Sequence, residues 1–203
     1  IGPSALAWDG ETLTLAIDEI TAPWPSRLRG TVRVRPHALF GTRHLLDGAG
    51  RHRWQPIAPR ATVEVDLERP GLTWQGPGYF DCNDGDAPLE DDFDAWTWSR
   101  SSSAEGAETV VFYDVERVGG GATHLALGFD DAGGTRLVSP PPVALLPRTP
   151  WGIARPTRSD AGNTARVVDT LEDGPFYARS VVGTQIDGRA SVARHLLTRG
   201  VNV

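Results

Sequence analysis

Apolar and polar residues alternate along most of the chain, and this period of two constrains the fold more than any other feature. The runs 12–20, 29–36 and 61–67 show this alternation, and 109–118, 123–130, 165–173 and 176–186 are further strand candidates. Successive side chains of a β-strand point to opposite faces, so each alternating run predicts a half-buried strand. The 23 glycines and 16 prolines fall mainly between the runs, as turn residues do. The chain is therefore predicted to be all-β, of the barrel or sandwich type.

Helical signals are limited to two segments. Residues 88–96, PLEDDFDAW, predict a short turn that begins at Pro88. Residues 188–200 fit a helix or a strand equally well. The serine run 99–103 is predicted to be loop, and the proline-rich segment 139–152 is either a linker or an extended edge.

Composition narrows the class of protein. A chain of 203 residues can form one large domain or two small ones. It has no apolar run long enough to span a bilayer, and its arginines are scattered among acids, which argues against a nucleic-acid partner. Cys82 is the sole cysteine, so a reducing compartment is compatible with the sequence. Because methionine is absent, we expect a fragment or a processed form.

Residues 78–100, GYFDCNDGDAPLEDDFDAWTWSR, concentrate charge and aromatic rings. The stretch contains seven carboxylates, five aromatic rings and one arginine, and so holds the whole formal net charge of −6. A calcium loop is one interpretation of its D-x-N-D-G-D run. Counted from Asp81, however, the run has Gly85 where an oxygen ligand belongs and Asp86 where the glycine belongs. The five histidines also lack metal-ligand spacing, so no metal site is predicted.

This stretch, the following VVFYDVERVGG, the opening IGPSALAWDG and the segment 50–79 together resemble the carotenoid 1,2-hydratases, or hydroxyneurosporene synthases. The resemblance runs from residue 1 to about residue 182. It implies a lipocalin-like antiparallel fold of two barrel-like domains. Residues 1–76 would be the C-terminal part of a first domain truncated at its N-terminus, and residues 77–203 a nearly complete second domain.

The resemblance also implies an activity. Such an enzyme is bacterial and acts in carotenoid biosynthesis, adding water to the terminal C1=C2 bond of an acyclic carotene such as neurosporene or lycopene. The reaction has no redox step, so no cofactor is expected, and the partners are the carotenoid and water. Since the substrate is confined to membranes, we expect peripheral membrane association on the cytoplasmic side.

Four site residues follow from the same resemblance. Asp81 is implied as the proton donor, which requires a raised pKa from burial beside rings and from neighbouring carboxylates such as Asp84 or Asp86. Tyr79 shares a strand face with Asp81 and would steady the cation with its ring. His52 and Trp54 share the same two-residue spacing. Trp54 would offer a π face, and His52 would either bond Asp81 or place the attacking water.

The remaining aromatic residues admit two interpretations. Trp96, Trp98 and Phe80 are implied to bind the substrate, although Trp96 and Trp98 fit core packing as well. Among the acids, Glu90, Asp91, Asp92 and Asp94 are expected to form a solvated turn or cap, and Asp84 and Asp86 fit Asx turns. Cys82 is expected to be buried on the face opposite Asp81.

Two other functions remain open from the sequence. One is a lipocalin-like carrier that binds a hydrophobic ligand without catalysis, since the same aromatic pocket would serve it. The other is a related cyclase that acts on a different isoprenoid or polyene.

Overall fold

The computed structural model describes residues 2–103 and 108–199. Within these ranges the chain forms fifteen β-strands and one single-turn helix, α1 (Leu89–Asp92). The strands are β1 (Ala5–Trp8), β2 (Leu13–Ile20), β3 (Arg27–Pro36), β4 (His44–Leu45), β5 (His52–Arg69), β6 (Leu72–Gly85), β7 (Phe93–Ser103), β8 (Glu108–Arg117), β9 (Ala122–Asp130), β10 (Thr135–Leu137), β11 (Val143–Leu146), β12 (Arg155–Arg158), β13 (Arg166–Asp173), β14 (Tyr177–Ile186) and β15 (Arg189–Arg199). Each of the seven predicted runs lies largely within a strand, and the all-β prediction is confirmed.

The chain divides into two compact units, and neither is continuous in sequence. Unit 1 contains the residues up to Thr42, Pro56–Cys82 and Asp131–Gly133. Unit 2 contains Arg43–Gln55, Asn83–Asp130 and the residues from Gly134 onward. The boundaries fall inside β5, after Gln55, and inside β6, after Cys82. The division into domains at residues 76 and 77 stays a prediction.

In unit 1 the strands follow the order β1-β2-β3-β5, and β6 also pairs with β5. The alternating apolar residues come into register across this sheet: Leu15 lies opposite Val32, and Val32 opposite Val65. Same-face neighbours of this kind are the main stabilising contacts of an antiparallel sheet.

Unit 2 is built on a seven-stranded antiparallel sheet in the order β10-β9-β8-β7-β15-β14-β13. One core cluster lies along β8 and β9 and includes Val110, Phe112 and Ala126. Another joins Leu146 of β11 to Val182 of β14 and Ala193 of β15. These contacts bury the apolar faces of the strands and fix the sheet.

The structure resolves the segments that the sequence left open. Residues 188–200 fall mostly in β15, a strand, and the proline-rich segment 139–152 contains β11, which pairs with β12. The predicted short turn is α1, with Pro88 at its N-cap. The loop prediction for residues 99–103 is wrong, because these serines complete β7 and pair with β8 and β15.

Candidate functional site

The first residues of β5 place two predicted site residues in the interior of unit 2. Burial alternates along this part of the strand, so His52 and Trp54 point inward and Arg53 does not. His52 is 2% exposed and Trp54 is 0% exposed. The shared face predicted from their two-residue spacing is confirmed.

A turn that precedes β5 fixes the position of His52. The Asp47 carboxylate accepts backbone N–H bonds from Ala49 at 2.8 Å, Arg51 at 3.1 Å and His52 at 2.7 Å. Burial of Asp47 raises its pKa, but these N–H groups favour the charged form more strongly, and the net pKa is lowered. The charged carboxylate therefore holds the turn, and the turn sets where β5 begins.

The His52 ring is held by α1 and by the start of β7. Its Nε2 lies 2.8 Å from Oδ2 of Asp92, the last residue of α1. Its ring packs against Phe93, with centroids 4.6 Å apart and planes tilted by 51°. The Arg51 guanidinium bonds the other oxygen of Asp92. The expectation of a solvated turn is wrong for Asp92, whose side chain is 16% exposed and hydrogen-bonded on both oxygens.

Arg53 forms ion pairs with two of the other acids. Its Nε donates to Asp84 at 2.5 Å, and its two terminal nitrogens bond the two Asp86 oxygens at 2.9 and 3.2 Å. The hydrogen bonds from Arg53 lower the pKa of Asp86, and the positive charge of Arg53 adds to the effect. A carboxylate can keep a neighbouring acid protonated by repulsion only if its own negative charge is not neutralised. Arg53 neutralises the charges of Asp84 and Asp86, so these two residues do not provide the repulsion expected for Asp81.

A cavity of about 310 Å³ lies beside His52 in unit 2. Its wall is mainly apolar and aromatic, with a few polar groups, and comprises Leu46, His52, Arg53, Asn83, Asp84, Gly85, Ala87, Leu89, Phe93, Trp96 and Tyr113. Leu46 and Phe93 are buried, whereas Asn83 and Leu89 are exposed, so one side of the cavity opens to solvent. An apolar cleft with a few converging polar groups is typical of small-molecule sites.

The two tryptophans of β7 and Trp54 differ in their relation to this cavity. Trp96 lies in the wall. Trp98 is half-buried in the same strand, opposite Tyr113 of β8. Trp54 packs behind Tyr113, with centroids 5.4 Å apart, and Tyr113 donates its hydroxyl to Asn83 at 3.1 Å. The structure therefore brings His52 and Trp96 into one wall and supports that wall with Trp54.

Strand β6 carries the other predicted residues, within unit 1. Tyr79 and Asp81 share a face, and the Tyr79 hydroxyl donates to Oδ2 of Asp81 at 2.9 Å. Both are half-buried, while Phe80, on the opposite face, is 37% exposed. Cys82 also points away from Asp81 but is exposed, so the prediction of a buried cysteine is wrong. The catalytic and substrate-binding roles of all seven predicted residues stay predictions.

Sequence reasoning missed several residues that shape the site. Asp92 lies in a run of acids, and nothing in the sequence distinguishes it from its neighbours. Tyr113 and Asn83 are hydrogen-bonded but lie thirty positions apart in the sequence. The predicted strand 109–118 was a usable signal for Tyr113, because within a strand Tyr113 shares a face with Val111 and Val115, which are both buried. Nothing in the sequence pairs Asp92 with His52.

The described part of the chain contains neither a metal-binding cluster nor a helix suited to spanning a membrane. Residues 2–103 and 108–199 contain no group of three or more His, Cys, Asp or Glu side chains arranged to hold a metal ion. Over the same ranges, no helix combines the length and apolar character that crossing a bilayer requires.

Comparison with known proteins decides the family. The model of the carotenoid hydratase CrtC family matches residues 1–198. The chain belongs to this family. It is 50% identical to the acyclic carotenoid 1,2-hydratase of Thiocapsa roseopersicina and 44% identical to that of Rubrivivax gelatinosus, each over 96% of this chain and 48% of the relative. The chain thus spans about half the length of these family members.

A solved structure supports the fold. A protein provisionally assigned as AttH from Nitrosomonas europaea superposes with a TM-score of 0.60 at 14% identity, covering 98% of this chain and 69% of that one. At this identity the likeness concerns the fold alone, and it agrees with the lipocalin-like antiparallel architecture expected for the family.

Proposed function

We propose that this protein hydrates acyclic carotenes in carotenoid biosynthesis, adding water across the terminal C1=C2 double bond to give a tertiary alcohol. The observation that carries the proposal is the family match over residues 1–198. Relatives at 50% and 44% identity that bear the name acyclic carotenoid 1,2-hydratase support it. Carotenes of the neurosporene and lycopene type are the proposed substrates.

The chemistry demands a strong acid and a sheltered cation. An unactivated alkene is a weak base, so a positioned acid must deliver a proton to C2. Positive charge then develops at the tertiary C1, where water adds and loses a proton. No electrons are transferred, so water is the only co-reactant that the atom balance requires.

Asp81 is the proposed proton donor, as in the sequence prediction. The assignment rests on the resemblance of the G-Y-F-D motif, and the hydrogen bond from Tyr79 to Oδ2 fixes how the carboxyl group is turned on β6. General acid catalysis contributes roughly 10²- to 10⁴-fold in rate. Further stabilisation of the cation is therefore needed.

Within unit 2, the cavity wall contains groups suited to stabilising a cation. Phe93, Trp96 and Tyr113 contribute aromatic rings to its wall, and a cation over a desolvated ring gains about 2 kcal/mol. At about 310 Å³ the cavity is near the lower limit for small-molecule sites, which suits one end of a long polyene. Trp98 and Phe80 are retained as proposed contributors to substrate binding, and Trp54 is retained as the proposed π face for the cation.

The test is to incubate the full-length protein with lycopene or neurosporene in water enriched in ¹⁸O and, separately, in D₂O. We expect a 1-hydroxy product with ¹⁸O at C1 in the first case and deuterium at C2 in the second. Asp81→Asn should lower the rate at least about 10²-fold. The control is Asp91→Asn, which removes an exposed acid of α1.

Three results would overturn parts of the proposal. Full activity of Asp81→Asn would refute the acid assignment. Tight carotene binding by the unaltered protein without product would indicate a carrier. A cyclic product lacking the solvent oxygen would indicate a cyclase.

We also propose that the protein contacts the membrane peripherally, from the cytoplasmic side. Trp24 supports this proposal because it is 84% exposed at the tip of the β2–β3 hairpin, beside the exposed Ile20. Tryptophan favours the membrane–water interface. The exposed thiol of Cys82 is compatible with a reducing compartment.

Flotation of the full-length protein with liposomes tests membrane contact. We expect the protein to float with the vesicles and Trp24→Ser to float less. Trp74→Ser, at a less exposed tryptophan within β6, is the matched control. Protein that stays wholly in the aqueous phase would contradict the proposal, and equal losses in the two variants would contradict the assignment to Trp24.

A further inference from the structure

The His52 ring is fixed in one orientation by three neighbours, all within unit 2. Asp92 lies 2.8 Å from Nε2, and Phe93 packs on the ring at a centroid distance of 4.6 Å. Gly85 lies against the other ring nitrogen: a Cβ added there would be 2.6 Å from Nδ1. In the described part of the chain, no residue hydrogen-bonds Nδ1.

The contact with Asp92 sets where the ring carries its proton. A carboxylate can only accept hydrogen bonds, so Nε2 of His52 must be the N–H that donates. In the neutral ring this leaves the lone pair on Nδ1. Both His52 and Gly85 belong to the cavity wall, and Nδ1 lies against Gly85 within that wall.

We propose that Asp92 is a positioning residue that holds His52 as the Nε2–H tautomer, so that Nδ1 accepts a proton from the water that adds to C1. This inference rests on the proposed hydration. Of the two roles expected for His52 from the sequence, it favours placing the attacking water, and it adds that His52 takes up the proton of that water.

The proton balance of this step closes. The water oxygen forms a bond to the cationic C1, and one O–H bond of that water breaks as its proton passes to Nδ1. His52 leaves the step as an imidazolium ion paired with Asp92. His52 then releases one proton to solvent, and Asp81 takes one proton from solvent to replace the proton that it delivered to C2. No other reactant is required.

Asp92 would act on His52 as the buried aspartate of serine proteases acts on the catalytic histidine, by fixing its tautomer and orientation. In those enzymes the wrong tautomer lowers the rate about 10⁴-fold. Asp92 is itself anchored by the Arg51 guanidinium. Asp47 holds the His52 backbone by accepting a hydrogen bond from the His52 N–H. His52 is thus held both at its backbone N–H and at the Nε2 of its ring.

The experiment compares the full-length unaltered protein with Asp92→Asn and Asp91→Asn. The two variants lose one charge each from the same helical turn, but only Asp92 contacts His52. Nitrogen-15 NMR reports the tautomer of each histidine, and His52→Gln assigns the His52 signals among the five histidines. Steady-state hydration of lycopene gives kcat and KM for the same proteins.

We expect a bare Nδ1 and a protonated Nε2 in the unaltered protein and in Asp91→Asn. In Asp92→Asn the amide group can donate to Nε2, so a population with hydrogen on Nδ1 should appear. There kcat should fall about 10²-fold, the lower end of what a general base supplies, with little change in KM. A merely structural role for Asp92 would not shift the tautomer of a folded variant.

Failure of this inference is distinguishable from failure of the proposed function. Hydration by the unaltered protein combined with unchanged tautomer or unchanged kcat in Asp92→Asn would overturn the positioning role and leave hydration standing. The expected tautomers without any hydrated product would refute the proposed function and with it the catalytic use of the pair. A protonated Nδ1 in the unaltered protein at neutral pH would overturn the inference directly.

Discussion

Gly78, the first residue of the G-Y-F-D motif, is required by a close approach between two strands of unit 1. It is buried in β6, and a Cβ at this position would overlap Cγ2 of Val63 in β5. Valine is branched at Cβ and has little freedom to turn away within a strand. The glycine therefore allows β6 to lie against β5 immediately before Tyr79 and Asp81.

Replacing Gly78 by alanine should lower the free energy of unfolding by about 1–3 kcal/mol, because the added methyl group overpacks a buried contact. Urea unfolding measures the loss. Gly41→Ala is the control: a Cβ there meets nothing within 4 Å and the backbone is not left-handed, so the change should stay under about 1 kcal/mol. The loss should shrink when Val63→Ala is added, and an undiminished loss would show that another contact is responsible.

The sequence predicted pairs of side chains within one strand and missed pairs that join different elements. The shared faces of His52 with Trp54 and of Tyr79 with Asp81 follow from a period of two and are present. The contact of Asp92 with His52 joins residues forty positions apart, and nothing local distinguishes Asp92 from Asp91. For Cys82 the alternation was right, but which face of β6 is covered depends on tertiary packing.

At the level of elements, strands with regular alternation were predictable and strands that contain turn-forming residues were not. Strand β5 extends to His52, nine residues before the predicted start, and includes Pro56 and Pro59. Proline cannot donate to a ladder and normally argues against an inner strand. Both prolines are fully buried here, so packing outweighs the missing hydrogen bonds.

The sequence also failed to predict polar strands, for a related reason. The serine run at the end of β7 has the composition of a loop, yet Ser99 and Ser101 are buried and paired on both sides, by β8 and β15. A strand inside a sheet has its backbone groups satisfied by both neighbours, so its own side chains need not be apolar. The strand character of β15, which the sequence left open, follows from the same pairing with β7 and β14.

At the level of the whole molecule, the acidic stretch is less charged than its sequence suggests. All of the net charge of −6 falls within residues 78–100. In unit 2, however, Arg53 is paired with Asp84 and Asp86, and Arg51 with Asp92. Two arginines outside the stretch, on either side of His52, thus offset three of its seven acids. The density of acids is partly structural: it ties α1 and the end of β6 to the start of β5.

The pH dependence of stability should show two windows with different causes. Arg60 lowers the pKa of Asp131 through a hydrogen bond, and Arg53 does so for Asp86. Each carboxylate therefore contributes stability above its ordinary pKa of about 4, and this stability is lost as the pH falls below that value. His195 acts at higher pH, since burial lowers its pKa to about 4 from 6.5. Its neutral ring donates from Nε2 to the Pro156 carbonyl at 2.7 Å.

Between pH 6.5 and about 4 the unfolded chain takes up a proton on His195, whereas the folded chain does not. The free energy of unfolding should therefore decrease by about 3 kcal/mol as the pH is lowered from 6.5 to about 4. His195→Gln keeps a donor for the Pro156 carbonyl but cannot take up a proton. In urea unfolding from pH 8 to 4, the variant should therefore lack this loss, while above pH 7, where His195 is neutral in both states, the two curves should run parallel. Equal slopes below pH 6.5 would show that His195 is protonated as readily in the folded protein as in the unfolded chain.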